Sequence, residues 1–185
     1  MKTFLSLLVS LSFLTVTAQT VQNDALKQQL IKDWERAKAY TQEYLSAMPA
    51  DHYEFKATDS VRTFGQQMLH LAFANVAMAM VGTGMRDSVL GTYLRPGFEK
   101  SSLANSKDSV MNLVNTSYDY MLKAIRGFDF TKLNEVVNQR TPGGDRSETR
   151  LVWLMKAFEH QTHTRGQCTI YLRLAGVHPP AEKLF

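Results

Sequence analysis

The chain has 185 residues, of which 44% are hydrophobic and 21% charged. This length suits one domain with a substantial core, and the composition excludes disordered and collagen-like proteins. The formal charge of +4 is interleaved along the chain rather than grouped in a basic stripe, so no nucleic-acid partner is expected.

The first 18 residues have the composition of a secretory signal peptide. Lys2 precedes an apolar run over residues 4–14, and small residues then lead to a predicted cleavage after Ala18. The run is too short to span a bilayer comfortably, so no stable membrane anchor is expected after cleavage. The alternative is a buried first helix. We predict an exported protein, periplasmic or extracellular, with residues 1–18 as the signal peptide and 19–185 as a single domain.

The rest of the chain is predicted to be all-α, with long helices at residues 24–47, 61–81, 107–126 and 148–174. Apolar residues recur there at three- and four-residue steps, which is typical of helices that bury one face. The second helix is apolar on nearly all sides, which indicates a central position. No run alternates convincingly at period two, so no sheet is expected.

Capping and turn residues set the predicted boundaries of these helices. The predicted helix starts follow Asn23 or Asp24, Asp59 or Ser60, and Ser147. Residues 85–106 form a long connection, predicted to contain a short helical turn and either to cross the end of the bundle or to build a site rim. Residues 129–138 are compatible with a short helix or an extended segment, and residues 141–145 are predicted to form a turn.

Three histidines on the predicted helices are candidate metal ligands. His70 lies in the most buried helix, where an imidazole needs a partner; a lone histidine there would hydrogen-bond a carbonyl. His160 and His163 share one face of the last helix; Thr164 extends that face, and Glu159 stands four residues before His163. Inward side chains of facing helices build the metal sites of bundles. Imidazole suits zinc, nickel, iron or copper, and three ligands with an open position are typical of a catalytic metal.

The residues around these histidines resemble a known family. The segments are YEFKA at 53–57, VRTFGQQMLHLA at 61–72 and HQTHTRGQCTIYLRLAGV at 160–177. Together they are similar to the DinB family of damage-inducible and related bacterial proteins, over nearly the whole mature chain. The resemblance implies a four-helix bundle with up-down-down-up topology, often dimeric. It also implies a divalent metal ion held by one histidine of helix two and two residues four apart on the last helix.

The resemblance assigns the ligands residue by residue. His70 matches the first ligand and His160 the second, but Thr164 stands where the family usually has its third, a histidine. Either His163 turns in to replace it, or the third ligand is missing and water fills the gap. A third option pairs Glu159 with His163 and turns His160 outward. We prefer His70, His160 and His163 as the metal ligands.

Neighbouring residues of the same motif receive supporting roles. Gln167 shares a helical face with His160 and would orient a ligand of the metal. Arg165 would pair with an acidic partner in the bundle or at a dimer interface. Gly166 is unusual inside a helix, which a close helix–helix approach would explain. Cys168 is expected to be a packed small residue, and a lone cysteine cannot form an internal disulfide.

The function predicted from the sequence is metal-dependent hydrolysis of an unidentified small molecule, with zinc or nickel as the favoured ion. Some relatives are thiol S-transferases that use bacillithiol or mycothiol, which gives an alternative activity. Export argues against it, because those thiols are cytosolic. The other alternative is a non-catalytic, metal-binding or stress-associated bundle with an incomplete ligand set. The resemblance also leads us to expect a homodimer.

Overall fold

The computed structural model describes residues 2–93, 95, 97–141 and 143–185, with side chains from residue 21 onward except those of 92 and 93. The helices of this part are α1 (Lys2–Ala47), α2 (Phe64–Thr83), α3 (Ser88–Tyr93), α4 (Lys107–Gly127) and α5 (Arg150–Leu174). An antiparallel hairpin, β1 (Val136–Thr141) and β2 (Gly144–Thr149), precedes α5. Short 3-10 turns occupy Ala50–His52, Phe98–Lys100, Ser102–Asn105 and Phe130–Lys132.

The four long helices form the predicted bundle with up-down-down-up topology. Helix α2 packs against α4 and α5, whereas α1 packs against α4 and α5 from the other side. Contacts along the helices give their directions: α5 is antiparallel to α2, α4 is parallel to α2, and α1 is antiparallel to α4. These contacts are Arg62–Tyr171 and Gly82–Leu154 for α2 and α5, Gly65–Ala104 and Asn75–Ser117 at α2 and α4, and Lys27–Phe128 and Lys107–Ser46 at α1 and α4.

The apolar stripes predicted from periodicity form the core. On α1 and just beyond its end the buried residues include Leu30, Trp34, Ala37, Tyr44 and Met48. On α4 they are Val110, Val114, Ser117, Met121 and Ile125. Helix α2 is buried along most of its length, as expected for the helix with neighbours on two sides. The spacing of apolar residues therefore predicted which helix faces point inward.

The start of α2 differs from the prediction. The helix begins at Phe64 rather than near Val61, because the Thr63 side chain accepts a hydrogen bond from the Gln66 amide while the Gln66 side chain accepts one from the Thr63 amide. This reciprocal capping box satisfies two amides that lack partners within the helix. Asp59 and Ser60 lie before it and do not cap α2.

The hairpin contradicts the expectation that the chain has no sheet. Its strands pair from Val136 opposite Thr149 to Thr141 opposite Gly144, around the turn predicted at 141–145, of which Pro142 lies outside the described residues. Most of its residues are exposed and none is fully buried, so the sequence carries no alternation of buried and exposed residues to reveal the hairpin. Because Ser147 belongs to β2, Thr149 caps α5 instead, accepting a hydrogen bond from the Val152 amide.

The beginning of the chain is described only by its backbone. Helix α1 extends back to Lys2, so Asn23 and Asp24 lie inside the helix and do not cap its start. The predicted signal peptide, residues 1–18, includes Met1, which is not described, and otherwise lies among the residues whose side chains are not described; its cleavage stays a prediction. Within the described residues, no helix is both long and apolar enough to cross a membrane.

Candidate metal centre

Two of the three predicted ligands meet across the interface of α2 and α5. The Nε2 atoms of His70 and His160 are 3.3 Å apart, although the residues are 90 positions apart in sequence. Their rings lie 5.1 Å apart between centroids at an interplanar angle of 63°, and both side chains are half-buried. The antiparallel pairing of two helices that each carry an inward histidine therefore creates a two-nitrogen site.

The surroundings of this pair favour neutral imidazoles. Burial is the main cause that lowers the pKa of His160, to about 4, and the charges of His70, His163 and Arg62 add to it. Burial also lowers the pKa of His70, with Arg62 acting in the same direction and Glu99 against it. A neutral imidazole keeps a lone pair on one nitrogen, which is the form that binds a metal ion.

The lowered pKa of His160 predicts a pH-dependent stability of the metal-free protein. An unfolded histidine titrates near pH 6.5, so between pH 6.5 and 4 the unfolded chain binds more protons. The stabilisation is complete above pH 6.5 and is lost as the pH falls toward 4. Because His160 is partly exposed, we expect a loss on the order of 1 kcal/mol after allowing for solvent screening.

Chemical denaturation at pH 7, 5.5 and 4.5 measures this loss. His160→Gln is the control, because carboxylates titrating near pH 4 affect both proteins equally. The native chain should lose about 1 kcal/mol more than the variant over this range. Parallel pH profiles would contradict the assignment of a neutral, half-buried His160.

The spacing of the two nitrogens fits one shared metal ion. Ligand nitrogens bound tetrahedrally to zinc at about 2.0–2.1 Å lie roughly 3.3–3.4 Å from each other. The observed separation is 3.3 Å. A direct hydrogen bond between the imidazoles is also compatible with this distance. Within the described part of the chain, Nδ1 of His160 is buried without a hydrogen-bond partner, so no second hydrogen bond fixes the orientation of that ring.

His163 is one turn along α5 but has a different environment. It is exposed, and its Nε2 accepts a hydrogen bond from Nε2 of Gln167 at 3.0 Å. Gln167 in turn accepts a hydrogen bond from Nε2 of the buried Gln67, which lies one turn before His70 on α2. Two glutamines thus connect His163 to the helix that carries His70, while the His163 ring itself is exposed.

The other two candidate ligands, Thr164 and Glu159, have different environments. Thr164 is fully buried on the inner side of α5. Glu159 is exposed and forms an ion pair with Lys156 at 2.6 Å, which is the main cause that lowers the pKa of its carboxyl. Among residues 2–93, 95, 97–141 and 143–185, no three His, Cys, Asp or Glu side chains converge closely enough to hold a metal ion. The choice of His163 as third ligand stays a prediction.

Known proteins match this chain both in family and in fold. The DinB family model matches residues 18–184. The chain belongs to the DinB family. A DinB-like protein of Bacillus cereus has a TM-score of 0.67 at 18% identity, with 84% of this chain and 97% of that chain covered. A DinB-like protein of Bacillus subtilis (YjoA) has a TM-score of 0.63 at 16% identity, with 85% and 96% covered. At these identities the structures show the fold alone. No curated protein matches the chain.

Two residues that act on the candidate site of this DinB-family protein, Glu99 and Gln67, were not predicted from the sequence. Glu99 is buried in the connection between α2 and α4, lies 3.9 Å from Arg62, and contributes to the electrostatics of His70. A charge of the long connection therefore acts on His70, and the two roles expected for that connection stay open. Gln67 was also missed, although its position three residues before His70 on an inward face would have revealed it.

Arg165 of α5 has partners other than the acidic one predicted for it. The buried Arg165 donates hydrogen bonds to Thr41 and Gln161 and stacks over the Tyr40 ring at 4.5 Å; it has no ion pair with any described carboxylate. The expected acidic partner inside the bundle is therefore wrong, because neutral oxygens and an aromatic face satisfy the guanidinium.

The expectation for Gly166 is wrong, whereas the one for Cys168 is confirmed. A Cβ atom at Gly166 would have no described atom within 4 Å, so a close helix approach does not explain this glycine. Cys168 is buried, and burial raises the pKa of its thiol. A thiol in that state is poorly nucleophilic, as expected for a packing residue.

Proposed function

We propose that this DinB-family protein binds one divalent metal ion, zinc or nickel, between Nε2 of His70 and Nε2 of His160. His163 would supply the third ligand after releasing Gln167. The observation that carries the proposal is the 3.3 Å separation of two Nε2 atoms from different helices, in an environment that favours neutral imidazoles. Uncharged, partly buried nitrogens at this spacing suit a metal ion bound at the open edge of the α2–α5 interface.

We further propose hydrolysis of a small molecule as the activity. A divalent ion with an open position supplies Lewis acidity, which polarises a carbonyl or phosphoryl oxygen. The side-chain amides of Gln67 and Gln167 lie on the same interface, about one turn from His70 and two turns from His160, and would hold polar groups of the substrate. The Arg62 side chain, 42% exposed, adds a positive charge near both histidines and would attract an anionic group.

A non-catalytic metal-binding role is the second candidate, and a specific observation favours it. The carboxylate predicted near the metal, Glu159, is held by Lys156 in solvent and cannot act as a base at the pair without leaving it. General acid–base catalysis needs a group within hydrogen-bond reach of the reacting atom. Metal uptake without turnover would support this second role.

Metal content and turnover test the proposal together. The mature chain, loaded with zinc or nickel and desalted, should retain one ion per chain by elemental analysis. His70→Ala should retain none, whereas His178→Ala, which removes an exposed histidine outside the bundle interface, should retain one. Turnover of ester, amide or thiol-adduct substrates by the loaded protein but not by His70→Ala would support the enzyme. Absence of stoichiometric metal in the unaltered chain would overturn the proposal.

Export and dimerisation are proposed on separate grounds. The lysine-led apolar segment supports export with cleavage after Ala18, and the family resemblance supports a homodimer. Mass spectrometry of protein recovered from outside the cytoplasm should give an N-terminus at Gln19, and sedimentation of that protein should give twice the chain mass. An intact N-terminus, or a monomer at micromolar concentration, would contradict the respective proposal.

A further inference from the structure

An apolar pocket opens directly beside the histidine pair. Its volume is 340 Å³, and both His70 and His160 contribute to its wall. The α2 wall continues away from His70 through Phe73, Ala77 and Val81, at four-residue steps along one face of the helix. Trp153 of α5 forms the opposite wall. The pocket and the proposed metal centre therefore share one end.

The hairpin closes the outer side of this pocket. Residues 139–141 of β1 line it, although most of the hairpin is exposed on both faces and contributes little to the core. A two-stranded hairpin is marginally stable by itself, so its position depends on the few contacts it makes with α2 and α5. Contact with an occupant of the pocket would stabilise the hairpin in this position.

The size and chemistry of the pocket define its occupant. A cavity of about 150 Å³ lined by apolar side chains is large enough to bind benzene, so 340 Å³ accommodates a group larger than a phenyl ring. The walls formed by α2 and by Trp153 are mostly aliphatic and aromatic, and the polar side chains of the lining belong to β1 and to the two histidines. Apolar groups are therefore favoured along α2 and Trp153. The two histidines at one end would meet the polar, reacting end of the same molecule.

We propose that this pocket binds the apolar group of the substrate, an alkyl or aryl chain of about six to ten carbon atoms, and that β1 closes over it. The ligand class is thus a small molecule with one apolar arm next to its reacting polar group. The assignment of the reacting end rests on the proposed metal-dependent function, whereas the binding of the apolar arm does not.

The proposal is tested on the metal-free protein with neutral n-alkanols from ethanol to octanol. Methyl NMR of methionines gives the readout, because Met78 lines the pocket and Met155 of α5 is 51% exposed and serves as an internal reference. The Met78 signal should shift and saturate, with affinity rising about threefold to fourfold for each added methylene until the pocket is full. The Met155 signal should not saturate. Equal, non-saturating shifts at both methionines would overturn the proposal.

A filled pocket provides the matched variant. Ala77→Leu places a larger side chain on the α2 wall and should weaken hexanol binding at least tenfold, whereas Ala39→Leu, an exposed alanine of α1, should leave it unchanged. Undiminished hexanol binding by Ala77→Leu would overturn the proposal. If that variant fails to fold, the alkanol series on the unaltered chain decides the question.

Hydrogen exchange tests the closing strand, and metal analysis separates this proposal from the proposed function. Octanol should slow amide exchange in residues 136–141, and unchanged exchange there would remove β1 from the proposal. Saturable alkanol binding without metal uptake would contradict the metal-dependent function and support the pocket. Metal uptake without saturable alkanol binding would support the metal-binding proposal and contradict the apolar pocket.

Discussion

Replacing Gly65 by alanine is expected to lower the free energy of unfolding by about 3 kcal/mol or more. A Cβ atom at this position would lie 1.8 Å from the carbonyl oxygen of Ala104 and 3.3 Å from that of Tyr53. Both obstacles are backbone atoms, so no side-chain rotation relieves the clash. The Gly65 amide also donates to the Tyr53 carbonyl at 2.9 Å, which prevents α2 from moving away without losing a hydrogen bond.

Gly166→Ala is the matched control, because it makes the same change inside a helix where no described atom would contact the new Cβ. Here the better helix propensity of alanine should raise stability by about 0.5–1 kcal/mol. Thermal unfolding should therefore give midpoints lowered by roughly 6–12 °C for Gly65→Ala and raised by roughly 1–4 °C for Gly166→Ala. Equal effects would mean that the segment around Ala104 does not pack closely on α2.

Thr164→His is expected to tighten zinc binding by at least about tenfold. Residues that only hydrogen-bond a metal ligand already change metal affinity by about 10- to 100-fold, and a direct ligand should contribute no less. Thr164 lies four residues after His160 and three before Gln167 on one face of α5. His160 contacts α2 at His70 and Gln167 contacts it at Gln67, so the buried position between them faces the same helix. A third imidazole would enter there without releasing the hydrogen bond between Gln167 and His163.

The control for this variant is Thr164→Leu, which adds similar bulk without a ligand nitrogen. Zinc affinity measured by competition with a chromophoric chelator should rise for Thr164→His and stay at or below the native value for Thr164→Leu. If the two variants bind zinc equally, the α5 position four residues after His160 does not face the centre.

The meeting of His70 and His160 could be predicted because periodicity and burial place both on inward faces of neighbouring helices. The third ligand could not. His163 and Thr164 flank the line between His160 and Gln167, and only the packing shows that Thr164 turns inward while His163 turns to solvent. A rotation of 100° per residue separates these outcomes, and the sequence does not determine the helix rotation that closely.

Other features escaped prediction for identifiable physical reasons. The hairpin has no buried face and so no alternating pattern. The Thr63–Gln66 capping box is visible in the sequence, but Asp59 and Ser60 offered competing caps, and the choice depends on where the preceding loop meets the bundle. The contact of Gly65 with Ala104 joins two segments that only the folded chain brings together. Local signals therefore predicted elements and faces better than boundaries and loop contacts.

X-ray diffraction from crystals of the mature chain grown with zinc, with data collected on both sides of the zinc absorption edge, tests the metal centre most directly. An anomalous peak is predicted about 2.0–2.1 Å from Nε2 of both His70 and His160. A well-ordered site without such a peak, with the two imidazoles hydrogen-bonded directly to each other, would contradict metal binding by this histidine pair.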